Sequence, residues 1–184
     1  IVIHDDTLLL TRGINRSVHT LSLQELNNLS SDKPVPTLTE ILDAFWGNTY
    51  LNIELKSRGS GQAVASLLTA RYITREADWE NCLISSFKTS ELRATRRLAP
   101  HARLALLHGQ NPFMFLMYQH RLRFAGLGFH RFHTNLLALA IARRLGIFTY
   151  AYTVNRPGGA KLLADKQLDA VVTDYPRRII DALS

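Results

Sequence analysis

Cysteine is almost absent from this chain, which has one such residue, Cys82, among 184. An intrachain disulfide framework is therefore excluded, and packing must hold the fold together. Long apolar runs are also missing, because no stretch approaches the ~20 consecutive apolar residues that a membrane-spanning helix needs. Low-complexity segments and linker-like changes in composition are missing as well, so the length favours a single domain.

Acidic residues are outnumbered by basic ones, since 22 Lys and Arg against 15 Asp and Glu leave a net charge of +7. This charge suits anionic partners without naming one. The most basic run, residues 93–103, falls on predicted outer helices and has no interleaved aromatic side chains. We therefore expect a solvated helix face there and no nucleic-acid partner.

The chain does contain a repeating alternation of strand and helix patterns. Thr37 and Glu40 predict a capping box at the start of one helix, and residues 111–122 predict another. Residues 5–36, in contrast, are expected to be non-helical. Short apolar or β-branched runs predict strands near residues 1–4, 51–56, 82–87, 103–107, 125–129, 147–153 and 170–173.

Strands that alternate with helices pair in parallel, through right-handed crossovers. A doubly wound nucleotide-binding sheet would carry a Gly-rich phosphate turn after an early strand, and this sequence has none. The nearly even spacing of the later strands favours a (β/α)8 barrel instead. Because seven strands are predicted and Ile1 already stands inside a strand-like segment, we expect a TIM-type barrel. It would lack strand 1, helix 1 and the start of strand 2, in one N-terminally incomplete domain over residues 1–184.

Polar residues alternate with apolar ones along the predicted strand at 51–56. Asn52, Glu54 and Lys56 should face the interior of a parallel barrel, while the apolar residues face the helices. A carboxylate and an ammonium turned inward are costly unless they are paired or bound to a ligand. Two interpretations follow: a Glu54–Lys56 ion pair at the rim, or a metal-binding carboxylate beside a phosphate-binding cation.

A histidine ends the first predicted strand, where His4 is followed by Asp5. A histidine at the carboxyl end of a strand can serve as acid, base or ligand, and a structural role is the alternative. On a later strand Tyr152 lies near the same rim, although aromatic strand residues are often core. Thr173 and Asp174, after the last strand, are expected to cap the final helix.

Six segments, in order and spacing, resemble the glycerophosphodiester phosphodiesterases: HDDTL, PTLTEIL, NIELK, ISSF, TVN and VVTDYP. The resemblance covers essentially the whole chain. It implies a (β/α)8 barrel that hydrolyses glycerophosphodiesters to sn-glycerol 3-phosphate and an alcohol with a divalent cation, Mg²⁺ or Ca²⁺. It also implies His4 as general acid/base, Glu54 as metal ligand and Lys56 as phosphate contact. Tyr152 stands where the family usually has Trp and would form a wall of the pocket.

Two family motifs are missing: HRG, which supplies a second catalytic histidine, and ExD, which supplies two more metal ligands. Both would precede Ile1, so we expect a fragment of the active enzyme with little activity by itself. The alternative is a non-catalytic degenerate barrel that binds phosphorylated ligands or a partner. A small-molecule substrate, no transmembrane segment and self-association through an open sheet edge are expected. The compartment is left open, with the cytoplasm favoured.

Overall fold

The structure of the chain, a computed structural model, describes residues 1–8, 13–29 and 34–184. The chain forms two compact units, Ile1–Thr49 and Tyr50–Ser184. The described part of the first unit contains short helices joined by irregular segments. The second unit is a regular alternation of strands and helices.

In the described part of the first unit, the helices α1 (Leu23–Asn28) and α2 (Leu38–Phe45) each begin with a capping box. At α2 the Thr37 hydroxyl accepts the amide of Glu40, whose carboxylate accepts the amide of Thr37, as predicted. The prediction that residues 5–36 are non-helical is wrong at α1. The same Ser/Thr-x-x-Glu signal precedes α1 in the sequence and could have revealed it.

Residues 1–4 do not form the predicted strand. The backbone amide of Val2 donates to the carbonyl of Pro36 (2.9 Å), which gives one hydrogen bond rather than a ladder. Ile1 and Val2 are exposed, so the apolar run that suggested a strand is not buried at its start. Ile3 instead packs against a small core cluster of the first unit, formed by Leu8, Val18 and Leu26.

The second unit is built on one parallel sheet whose six strands follow their sequence order. A doubly wound sheet would reverse this order at a switch point, whereas a barrel of βα units keeps it. The order therefore confirms the barrel-type α/β fold class and six of the predicted strands. The strands are β1 (Leu51–Glu54), β2 (Cys82–Ser86), β3 (Leu104–His108), β4 (Gly126–His130), β5 (Phe148–Tyr152) and β6 (Ala170–Val171).

Helices follow the strands of this unit: α3 (Ser60–Arg71), α4 (Thr89–Leu98), α5 (Gln119–Leu122), α6 (Leu136–Arg144), α7 (Pro157–Asp165) and α8 (Pro176–Leu183). The single helix predicted over 111–122 is wrong, because a 3-10 turn, Met114–Met117, precedes the short α5. Asn111 accepts the amide of Phe113 (2.9 Å), and Phe115 is fully buried. The segment thus turns into the core.

A buried cluster of Leu83, Ala105, Leu107 and Tyr150 covers one face of the sheet. Gly128 lies among these residues, and a Cβ added there would stand 2.6 Å from Leu107 and 2.8 Å from the Tyr150 ring. Only a glycine leaves room for that ring at this position. Strands β2 and β3 are buried throughout, as both faces of a parallel sheet usually are.

Candidate active site

The carboxyl end of β1 presents one acidic and one basic side chain. Glu54 ends the strand, and its carboxylate lies 3.9 Å from the Lys56 ammonium, with about a third of each side chain exposed. Leu55, between them, is buried. The ion pair proposed as a structural alternative therefore exists. A partly exposed pair contributes only about 0–1 kcal/mol, so stability gives little reason to place both charges here.

Tyr152 ends β5, and its phenol lies within electrostatic range of the Glu54 carboxylate. Burial chiefly raises the pKa of the Tyr152 phenol, and the negative charge of Glu54 raises it further. Its hydroxyl donates to the carbonyl of His108 (2.7 Å), and its ring meets Phe87 edge to face at 5.9 Å between centroids. Glu54, Lys56 and Tyr152 thus all lie at the carboxyl ends of parallel strands, at the edge where barrel enzymes place their active sites.

His4 belongs to the first unit, where its Nδ1 lies 2.7 Å from a carboxylate oxygen of Asp5. A carboxylate that accepts from Nδ1–H fixes the tautomer and leaves the lone pair on Nε2. Such a nitrogen can take a proton from water or return one to an alkoxide. The Asp5 carboxylate is therefore placed within hydrogen-bond distance of the His4 ring, and its adjacency in the sequence is the signal for that contact.

Asp174 does not cap the last helix, contrary to the expectation. The N-cap of α8 is Tyr175, which has no side-chain cap, and the Asp174 carboxylate accepts from the Asn155 amide (2.7 Å). The Asn155 side-chain oxygen in turn accepts from the Thr173 hydroxyl and the Asp174 amide. This network ties the loop after β5 to the loop after β6, because the two strands are neighbours in the sheet.

A second group of polar and aromatic side chains follows β4. The ring of His130 lies 5.2 Å from the His133 ring and 6.2 Å from that of Tyr152. Burial chiefly lowers the pKa of His130, and the positive charges of Arg131 and His133 lower it further. Spacing along the sequence does not place these histidines near Tyr152. Their proximity to Tyr152 depends on the pairing of β4 with β5.

Side chains that could bind a metal do not cluster within the described residues 1–8, 13–29 and 34–184. No group of three or more His, Cys, Asp and Glu side chains there could hold a metal ion. Glu54 supplies one carboxylate, whereas Ca²⁺ takes about six to eight oxygen ligands. Mg²⁺ can use as few as one or two carboxylates when waters and a substrate phosphate complete its shell. The described side chains alone therefore do not fit a complete divalent-cation site.

Two further observations concern partners. In the described part of the chain, no helix combines the length and apolar character needed to cross a bilayer.

Within the basic run, Arg96 donates to the backbone carbonyls of Pro100, Ala102 and Leu122. That arginine is therefore committed to backbone contacts and is more than part of a solvated face.

Comparison with known proteins gives one consistent match. Residues 1–178 match the glycerophosphoryl diester phosphodiesterase family. A glycerophosphodiester phosphodiesterase of Caldanaerobacter subterraneus subsp. tengcongensis is 24% identical over 98% of this chain and 79% of its own length. A phosphodiesterase of Oleispira antarctica, solved with sn-glycerol-3-phosphate, is 24% identical with a TM-score of 0.80, over 98% of this chain and 78% of that one. The structure of the Thermotoga maritima glycerophosphodiester phosphodiesterase is 21% identical with a TM-score of 0.78, over 97% of this chain and 77% of that one.

Proposed function

The chain belongs to the glycerophosphoryl diester phosphodiesterase family, whose members are phosphoric diester hydrolases, and we propose that it serves hydrolysis of glycerophosphodiesters to sn-glycerol 3-phosphate and an alcohol. The observation that carries the proposal is the placement of Glu54, Lys56 and Tyr152 at the carboxyl end of a parallel sheet. A small anionic substrate suits a cation at that edge, and the relative from Oleispira antarctica was solved with sn-glycerol-3-phosphate.

Lys56 is proposed to contact the phosphate. A phosphodiester carries a negative charge that repels nucleophiles, and an ammonium beside its oxygens lowers that charge. The 3.9 Å separation keeps the ammonium next to Glu54 until an anion competes for it. Tyr152 is proposed as one wall of the pocket, because its hydroxyl is bonded to a carbonyl and its ring faces Phe87.

His4 is proposed as the general acid/base. In the hydrolysis a hydroxyl or water oxygen bonds to phosphorus, and the bond from phosphorus to the leaving alcohol breaks. The attacking group must lose a proton, and the leaving alkoxide must gain one. Nε2 of a histidine oriented by Asp5 can carry out either transfer.

Glu54 is proposed as one ligand of a divalent cation, Mg²⁺ or Ca²⁺. Such an ion neutralises charge on a phosphate when it is bound. Because the described residues do not complete its coordination, added ligands from water, substrate or elsewhere in the protein would be needed. The dependence on metal is therefore part of the test of the function.

The decisive experiment measures sn-glycerol 3-phosphate released from glycerophosphocholine with Mg²⁺ or Ca²⁺ and after chelation. Lys56→Met and Glu54→Gln should each lower kcat/KM by about 10²-fold or more. Lys161→Met, which removes an exposed lysine of α7, is the matched control and should change little. Normal turnover by His4→Ala would show that its assigned role is wrong.

Binding of glycerophosphocholine without release of product, at every metal concentration, would instead favour a non-catalytic phosphate-binding barrel. Undiminished turnover after chelation would contradict the role of Glu54 as a metal ligand. These outcomes separate the hydrolytic function from the metal dependence.

We also propose self-association through the outer strands of the sheet, β1 and β6. An outer strand presents backbone groups that another chain can pair with. Light scattering coupled to size-exclusion chromatography would test this, and a monodisperse monomer over a wide concentration range would contradict it.

A further inference from the structure

Donors from the end of β2 hold the end of β1. The last ladder bond between these strands runs from the amide of Leu55 to the carbonyl of Ser85 (2.7 Å). Beyond it, the carbonyl of Leu55 accepts from the hydroxyl of Ser86 (2.7 Å), and the carbonyl of Lys56 accepts from the ammonium of Lys88. Side chains thus continue the connection where the backbone ladder stops.

The two donors are themselves linked. The Ser86 side chain is fully buried, and its oxygen accepts the backbone amide of Lys88 (3.0 Å) while it donates to Leu55. The hydroxyl therefore acts as donor and as acceptor at this junction. The backbone amide and the ammonium of Lys88 then take part in the same assembly, which we name the β1 clamp: Ser86, Lys88 and the carbonyls of Leu55 and Lys56.

The β1 clamp fixes the backbone that carries the proposed phosphate and metal contacts. Its two carbonyls belong to Lys56 itself and to the residue between Lys56 and Glu54. A rotation of either peptide would change the 3.9 Å separation of the two charged side chains. Active-site groups tolerate little displacement, because an error of about 1 Å can cost on the order of 10²-fold in rate.

We propose that Ser86 and Lys88 are positioning residues, which hold Glu54 and Lys56 in the geometry that the phosphodiester requires. The effect on catalysis rests on the proposed function. The hydrogen bonds of the β1 clamp do not depend on that function. Lys88 is exposed and lies at the N-terminus of α4, so it can be changed without opening the core.

The first test compares Lys88→Met, Lys88→Arg and the control Lys161→Met in the full chain. Lys88→Met should lower kcat by about 10- to 100-fold, the range typical when a supporting contact of an active-site ligand is lost. Lys88→Arg should restore most of the rate, since a guanidinium can also donate to the Lys56 carbonyl. Thermal melting of all three should remain close to that of the wild type.

Equal kcat for Lys88→Met and Lys161→Met would overturn the positioning role. The same conclusion would follow if Lys88→Met lost activity only in proportion to its melting temperature, because the residue would then be merely structural.

The second test does not require activity. Amide hydrogen exchange over residues 53–58 should become faster by about tenfold or more in Lys88→Met and Ser86→Ala, because both remove donors to this backbone. Ser85→Ala is the matched control for Ser86→Ala, since it also removes a buried hydroxyl, but one that donates to no backbone carbonyl of residues 53–58.

Unchanged exchange in Lys88→Met would overturn the β1 clamp, whatever the enzyme does. If wild-type protein releases no glycerol 3-phosphate while the exchange changes as expected, the proposed function fails and the β1 clamp is supported. The two proposals therefore fail in distinguishable ways.

Discussion

The phenol of Tyr152, at the end of β5, donates a 2.7 Å hydrogen bond to the backbone carbonyl of His108, at the end of β3. Strand β4 lies between them in the sheet. The bond therefore crosses one strand and fixes the Tyr152 ring at the carboxyl ends of the strands, where the charge of Glu54 raises the pKa of the phenol. The ring's position relative to the proposed phosphate site depends on this contact.

Tyr152→Phe should keep the ring and lose the hydrogen bond. We expect the free energy of unfolding to fall by about 1 kcal/mol, the usual net value of such a bond. Urea denaturation would measure the loss. Tyr152→Trp is the companion variant, because Trp is the residue usual in the resembled family. A loss of activity of about 10²-fold in Tyr152→Phe without unfolding would contradict the wall role and place the hydroxyl in the chemistry.

His108 predicts a pH dependence of stability. It is buried between Phe115 and Phe129, and burial lowers the pKa of His108 to about 4. In the unfolded chain the pKa of His108 is near its usual value of 6.5, so the unfolded chain binds more protons than the folded one between these two pKa values. Stability therefore increases with pH through that window and is lost as the pH falls through it, by at most about 3 kcal/mol.

His108→Leu should remove this contribution, whatever its effect on stability at neutral pH. We expect a flatter dependence of the unfolding free energy between about pH 7 and about pH 4 than in the wild type. The exposed His120 provides the control His120→Gln, which should keep the wild-type slope. Identical slopes for His108→Leu and the wild type would show that His108 is not the buried neutral group responsible.

Gly128→Ala should destabilise the second unit by about 1–3 kcal/mol. Its Cβ would stand 2.6 Å from Leu107 and 2.8 Å from the Tyr150 ring, so the core must shift to accept it. Gly126→Ala is a graded comparison on the same strand, because its nearest contacts are 3.3 Å. Chemical denaturation should place Gly126→Ala between the wild type and Gly128→Ala. The reverse order would contradict the packing around Tyr150.

Arg96→Lys should destabilise the protein by about 2–3 kcal/mol. The guanidinium donates to backbone carbonyls in two segments, at Pro100 and Ala102 and at Leu122 and Arg123. A lysine ammonium has three donors and no planar fork, so several of these carbonyls would lose their partner. Arg97→Lys, at the next, exposed position of α4, should stay within about 0.5 kcal/mol of the wild type. Equal effects of the two substitutions would contradict this role of Arg96.

The barrel-type fold was predictable because its signals are local. Apolar runs at a spacing near 22 residues, the capping box at Thr37 and the glycine after α6 each act within a few residues. The wrong predictions, a strand at residues 1–4 and one helix over 111–122, concern segments whose structure depends on contacts with other parts of the chain. The segment 1–4 has the pattern of a strand but no ladder, and the bulky run before α5 turns inward around Phe115.

The charged end of β1 was also predictable, because the alternation along a strand decides which side chains share a face. Pairing of Glu54 with Lys56 follows from their spacing of two residues. The contacts of Tyr152 with the His108 carbonyl and of Lys88 with the Lys56 carbonyl join positions 44 and 32 residues apart. No sequence pattern indicates such pairs.

By itself, the sequence determined the strand and helix series, the absence of a disulfide within these 184 residues, the family and the acidic and basic residues at the end of β1. These features depend on residue type or on periods of two or about 3.6 residues, and both can be read directly from the sequence. Only the tertiary structure decided which carbonyl each donor meets, which glycine makes room for Tyr150 and how the β1 clamp supports Glu54 and Lys56. The reason is that strand pairing joins segments distant in sequence, and side-chain donors are assigned to carbonyls only when those segments are in register.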